Sequence, residues 1–195
     1  AGLEFAHKKY GSMPWSQLVE PSIYLALNGF KLADRDAEYL NRARRFLSRD
    51  TETLKIFTST RKFKSGDLLV QKDLGETLSR ISIHGANDFY RGETSRLIAK
   101  CMDRTGGIIS REDLINYTPI ERKPIEFYYR GHKVISMPPA SSGGICLAQI
   151  LNQIEMFNIN ELPHHGPRHL QLMIEAQRRA YADRAEFIGD SDFIE

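Results

Sequence analysis

The chain has 195 residues, 41% hydrophobic and 27% charged, which suffices for one sizeable domain or two small ones and excludes wholesale disorder. Lys and Arg number 27 against 25 Asp and Glu, and the net charge of +2 does not by itself imply a nucleic-acid or membrane partner. No apolar run approaches the roughly 20 residues of a membrane span, no secretory apolar region stands at the start, and a chain opening on Ala1 leads us to expect an upstream piece.

In chain order, a turn falls at Gly11-Ser12 and a helix opens near Pro14, where proline is tolerated. Pro21 is expected to kink or restart it, since an interior proline loses a backbone bond and clashes with the preceding turn. Ile23, Ala26 and Leu27 continue a buried stripe up to a C-cap at Gly29. A second helix spans about Asp34 to Leu47, with Ala37, Leu40 and Leu47 inside. Its basic cluster of Arg42, Arg44 and Arg45 reads as a solvated face, because Asp34, Asp36 and Glu38 precede it in the order the helix dipole prefers. Leu54–Thr58 suggests a short strand. The basic loop RKFKSG follows, read as a surface loop in preference to an anion contact. Asp67–Gln71 is extended, and Asp73 is expected to cap a helix carrying Leu74, Leu78 and Ile81 and ending at Gly85. Another helix holds Leu97, Ile98, Cys101 and Met102 and stops at Gly106-Gly107. Ser110 to Asp113 is an S-x-x-D start signal for a short helix with Leu114 inside.

Pro124 to Met137 reads as a β-hairpin, with Ile125, Phe127 and Tyr129 on one face and Arg130-Gly131 at the turn. Pro138-Pro139 stops the returning strand, since neither proline can donate to a ladder. Ser141 is expected to cap the next helix, which is apolar almost all round from Ile145 to Ile154 and therefore needs covering by other layers. A last long helix from about Pro167 to Ile188 has an expected inner stripe of Leu170, Met173, Ile174, Tyr181, Ala185 and Ile188. No linker divides the chain, so residues 1–195 are expected to form one segment without an internal boundary, α+β and mostly helical, with a small sheet.

The candidate chemistry is thin. Cys101 and Cys146, far apart and each within an apolar helical pattern, are expected to be core thiols. His164, His165 and His169 resemble a metal cluster, but Gly166-Pro167 interrupts them and no further ligand has metal-site spacing. Ser141-Ser142-Gly143-Gly144 at a helix N-terminus suits an anion or a serine nucleophile. The preferred reading is a capped helix whose glycines permit tight packing. Asp183-Arg184 reads as a structural ion pair bracing the last helix, in preference to a substrate clamp. From the residues alone, then, the expectation is no catalytic, cofactor-binding or metal-binding residue, and no cofactor.

Five strings nevertheless stand out together: YGSMPWSQLVEPSIYLALNGF, GDLLVQKDL, NDFYRG with GGIISREDLINY, YRGHKVISMPPASSGG, and EAQRRAYADRAEFIGDSDF. In order and spacing they resemble the γ-glutamyltranspeptidase (glutathione hydrolase) family over essentially the whole chain. The most specific parts are YRG-x-x-V-x-SMPP-x-SSGG and YADR-x-x-x-x-GD. The resemblance implies an N-terminal-nucleophile hydrolase, an αββα four-layer sandwich made as a self-cleaving precursor. A threonine freed at the start of the small subunit is the nucleophile and its own α-amino group the base. The enzyme takes the γ-glutamyl group from glutathione or related amides and passes it to water, an amino acid or a peptide.

The match covers only the middle and later part of the large subunit. The family's substrate-gripping arginine lies upstream of it, and its nucleophile and oxyanion-hole groups lie downstream. Thr58, Thr94 and Thr118 do not sit in the processing motif. No family catalytic residue transfers to a position here. The implied partners are the small subunit, the remainder of the large subunit and the γ-glutamyl substrate, with no nucleic acid, and the isolated segment is expected to self-associate. The implied location is periplasmic, secreted or at the cell surface. Alternatives are a cephalosporin-acylase-like or poly-γ-glutamate-processing relative, or a non-catalytic binding or structural module derived from the fold.

Overall fold

Glycines end the first two helices of the structure, a computed structural model that describes residues 1–58, 60–190, 192 and 193. Helix α1 (Gly2–Tyr10) closes at Gly11, and α2 (Trp15–Asn28) closes at Gly29, whose φ of 79° lies where a side chain would be strained. Pro21 does not restart α2, which runs through it as one helix. Helix α1 carries no buried residue, and that weak patterning is why the sequence shows only the turn after it.

By contact the chain divides into two units, Ala1–Ile120 and Glu121–Glu195. In the first, β1 (Phe30–Lys31) pairs antiparallel with β2 (Leu68–Leu69), Phe30 opposite Leu69. Between them lie α3 (Asp34–Leu47) and α4 (Thr51–Phe57). Leu32, Ala37 and Leu69 form a small core with Leu40, Phe57 and Phe63 packed against it. Where a strand is expected over Leu54–Thr58, Leu54 to Phe57 form the second half of α4 and Thr58 is its C-cap. Asp50 caps that helix by accepting from the Thr53 amide at 2.8 Å, a start signal that outweighs the alternation of apolar residues.

Helix α5 (Lys72–His84) packs on α2. A β-carbon at Gly75 would come within 2.4 Å of Leu27 Cδ2, so the contact needs glycine there. Its N-cap is Gln71, and Asp73 sits in the first turn, where its charge faces the helix dipole. The single helix expected next is two, α6 (Ala86–Arg91) and α7 (Glu93–Thr105), broken at Gly92. Helix α8 (Arg111–Asn116) has the capping box read from the sequence, Ser110 accepting from the Asp113 amide while Asp113 accepts from that of Ser110.

The second unit opens with a hairpin of β3 (Ile125–Tyr129) and β4 (His132–Ser136), Ile125 opposite Ser136 and Tyr129 opposite His132. Arg130 and Gly131 both have positive φ, 48° and 80°, the pairing that a two-residue turn matched to strand twist requires. Helix α9 (Gly143–Glu155) packs on both strands and on α10 (Pro167–Phe187), with a 3₁₀ turn at Ile159–Glu161 between the helices. The seam between α9 and α10 uses Cys146, Ile154, Ala176 and Ala180. The stripe expected to face inward on α10 is therefore displaced, since Leu170, Ile174 and Tyr181 are 44, 57 and 56% exposed. Small residues let the two helices approach closely, and a pattern search for large apolar residues misses such a face.

Candidate functional site

The Pro-Pro corner and the start of α9 hold the most specific sequence motif, and close approach explains its glycines. A β-carbon on Gly144 would lie 2.2 Å from the Met137 carbonyl oxygen, so only glycine lets the helix start against the end of β4. The N-cap is Ser142, one residue beyond the expected Ser141. Ser141 Oγ accepts a long bond from the Gly143 amide at 3.4 Å, while Ser142 Oγ accepts from Arg184 Nε at 2.8 Å. Among the described residues no base stands beside either hydroxyl to activate it as a nucleophile.

Asp183 and Arg184 do not pair with each other. Arg184 reaches Ser142, and Asp183 accepts from Gln149 Nε2 at 2.7 Å, so both tie α10 to α9. With Cys146 Sγ 3.9 Å from the Ala180 carbonyl, they make one polar seam along an otherwise apolar interface. Gln149 Oε1, and His169 Nδ1 in the first turn of α10, are buried with no hydrogen-bond partner among the described residues. Beyond Asp190, Ser191 of the last motif lies outside the described residues.

The three histidines do come together, with their rings tilted against one another. The His164 and His165 rings lie 3.8 Å apart and 30° from parallel, with His169 5.7 and 6.2 Å away. Among the described residues no group of three or more metal-binding side chains is placed to hold an ion. Of the two cysteines, Cys146 is buried as expected; Cys101 is exposed on α7, because its helix turns another face inward.

Sequence reasoning missed two features of the first unit. Asp88, 5% exposed, accepts from Arg80 Nε at 3.4 Å and from the buried Thr94 hydroxyl, while Arg80 also donates to Thr77 and Thr94. This network knots α5, α6 and α7 together, and its members lie too far apart in sequence for any spacing rule to join them. The second is an apolar groove of about 560 Å³ walled by Trp15, Val19, Leu78, Phe89 and Tyr90, with His7 edge-on to Trp15 at 5.3 Å. Trp15 is held by its indole N–H, which donates to the Ile81 carbonyl at 3.0 Å.

Comparison with known proteins supplies what the geometry lacks. Residues 1–195 match the family described as Gamma-glutamyltranspeptidase. The chain is 40% identical over 196 residues to the glutathione hydrolase proenzyme of Escherichia coli, which covers 100% of this chain and 34% of the relative. Its structure resembles the crystal structure of Helicobacter pylori gamma-glutamyltranspeptidase with a TM-score of 0.94 and 43% identity, over 100% of this chain and 56% of that one. The Bacillus anthracis transpeptidase enzyme CapD superposes with a TM-score of 0.81 and 34% identity, over 95% of this chain and 62% of that one. The chain spans about a third of the length of the curated relatives it matches.

Proposed function

Because this chain belongs to the γ-glutamyltranspeptidase family, we propose that it is a segment of the large subunit of an enzyme that hydrolyses or transfers the γ-glutamyl group of glutathione and related amides. The fold is that of the family's N-terminal-nucleophile hydrolases, α+β and here mostly helical with a β-hairpin. The observation that carries the proposal is the agreement of sequence and backbone along the whole chain, 43% identity at a TM-score of 0.94.

In the proposed reaction the nucleophile is a threonine of the small subunit. Its hydroxyl oxygen attacks the γ-carbonyl carbon and loses its proton to the threonine's own amino group. The amide C–N bond breaks, the amine leaves with a proton, and an ester joins the glutamyl group to the enzyme. Water then releases glutamate, or an amino acid's amine takes the acyl group. No residue of this chain is assigned a catalytic, cofactor-binding or metal-binding role. Both units are proposed to act as one scaffold, partnered by the small subunit and the rest of the large one. The proposed location is exported or outward-facing; no helix of the described residues is long and apolar enough to cross a membrane.

The test is release of the chromophore from a γ-glutamyl anilide. The whole gene product is expected to release it, faster with an amino-acid acceptor, and residues 1–195 alone to give no rate above buffer. A robust rate from the isolated chain would place the nucleophile within it and overturn the scaffold reading. The likeness to the cephalosporin acylase of Bacillus halodurans, at 26% identity and a TM-score of 0.80, supports a second reading, a relative acting on a different acyl group. Parallel assays on glutathione, poly-γ-glutamate and a glutaryl β-lactam separate the two.

A further inference from the structure

The groove beside Trp15 does not end at the start of α1. A second hollow, of about 420 Å³, is walled by Phe5, Asn87 and Tyr117, and Ala1, Glu4, Ala86 and Tyr90 line both. The two hollows therefore meet at Ala1. Helix α1 lies along them without filling either: Leu3 lines the larger and is 82% exposed, while Phe5 lines the smaller and is 41% exposed. Leu18 on the α2 wall of the larger hollow is open as well, at 46%.

The polar groups of Glu4, His7 and Trp15 in the larger hollow are engaged already. Glu4 pairs with Lys8 at 3.2 Å, His7 Nε2 donates to the Met13 carbonyl at 2.7 Å, and the Trp15 indole N–H donates to the Ile81 carbonyl. The other walls are largely apolar, supplied by Leu3, Leu18, Val19, Leu78 and Phe89. Walls of this kind favour an apolar occupant, since a polar ligand would lose its water there without finding hydrogen-bond partners.

We propose that polypeptide of the same large subunit, joined directly to Ala1, covers this groove and sets apolar side chains against Leu18, Leu78 and Phe89. This rests on reading the chain as a segment of a longer enzyme, for it spans about a third of its relatives' length. A residue bonded to Ala1 has its Cα about 3.8 Å from that of Ala1, so such polypeptide starts at the junction of the two hollows. Its tether gives it an effective concentration on the order of millimolar at the groove. It also keeps none of the free translation and rotation that a separate partner must lose on binding. A small subunit, a second copy or a free ligand has neither advantage.

The test is photo-crosslinking in the whole gene product, with p-benzoylphenylalanine in place of Leu18 and, as the comparison, in place of Tyr39, which is 72% exposed on α3. After irradiation and digestion, mass spectrometry is expected to find the probe at Leu18 joined to a peptide within about ten residues upstream of Ala1, an extended reach of about 33 Å. The probe at Tyr39 is expected not to capture that peptide. An adduct from Leu18 in the small subunit, in a second copy or within residues 1–195, or no adduct, overturns the proposal. A second measurement leaves the groove walls unaltered. Trp15 is the one tryptophan of this chain, and the emission that W15F removes from the whole product reports it. That emission is expected to resist quenching by acrylamide, and quenching like that of an open indole overturns the proposal as well. Release from the γ-glutamyl anilide is measured on the same product. Activity with an uncovered groove sinks this inference alone, and the expected adduct in an inactive product sinks the γ-glutamyl reading alone.

Discussion

Asp67 ties a whole loop together. Its two carboxylate oxygens accept from the two Arg61 terminal nitrogens at 2.6 Å each, and one also accepts from the Lys64 amide at 2.8 Å. The Arg61 hydrogen bonds, then the Lys64 amide, hold its pKa down to about 2 from 3.8. A carboxylate depressed on folding stabilises the fold above its unfolded pKa and loses that contribution as the pH falls through its folded one. The Arg61–Asp67 loop is therefore expected to stay closed at neutral pH and to loosen between about pH 4 and pH 2. Titration of the Asp67 carboxyl carbon by NMR checks this. The midpoint is expected near 2 in the parent and to move toward 3.8 in R61Q; an unchanged midpoint in the variant would mean that Arg61 is not the cause.

At the scale of elements, boundaries follow local chemistry and faces follow packing. Gly131, Ser110 and Gly106 all sit where their backbone or side-chain roles demand them, at a turn, an N-cap and a left-handed C-cap. Helix α4 shows the limit of reading alternation, since Leu54, Ile56 and Thr58 suit a strand until the Asp50 cap is weighed. Helix α10 shows another, because its inward face is marked by alanines that no hydrophobicity count favours. The junction of β4 and α9 depends on Gly144 in a way that substitution exposes. G144A puts a methyl group 2.2 Å from a backbone carbonyl that cannot swing away. Overpacking of this kind costs about 1–3 kcal/mol, and a urea denaturation midpoint lowered to match is the expected result. A variant as stable as the parent would mean that the helix start shifts freely.

At the scale of the molecule, the accessible surface is 14448 Å², against about 11,000 Å² for two separate, well-packed globules of these sizes. The excess is apolar in part. Tyr24 and Leu25 on α2, Ile83 on α5 and the displaced stripe of α10 are all open, and half of the buried apolar residues are alanines, the others being Leu32, Leu69, Cys146 and Ile154. Exposed apolar faces of this extent mark surfaces that other polypeptide covers. In isolation, residues 1–195 are expected to self-associate and to bind a hydrophobic dye. Sedimentation velocity showing a dye-silent monomer at all concentrations would mean that these faces tolerate water.

By itself the sequence determined the family, the hairpin with its register and most helix boundaries. Each of these is written in short-range chemistry, in a cap, a turn glycine, a period or an ordered string. Only the tertiary structure decided which face of α10 turns inward, that Asp183 and Arg184 serve α9 instead of each other, and that Arg80, Asp88 and Thr94 meet. Those outcomes depend on which elements lie close in space, and one chain's local pattern is satisfied equally well by several such arrangements until packing selects among them.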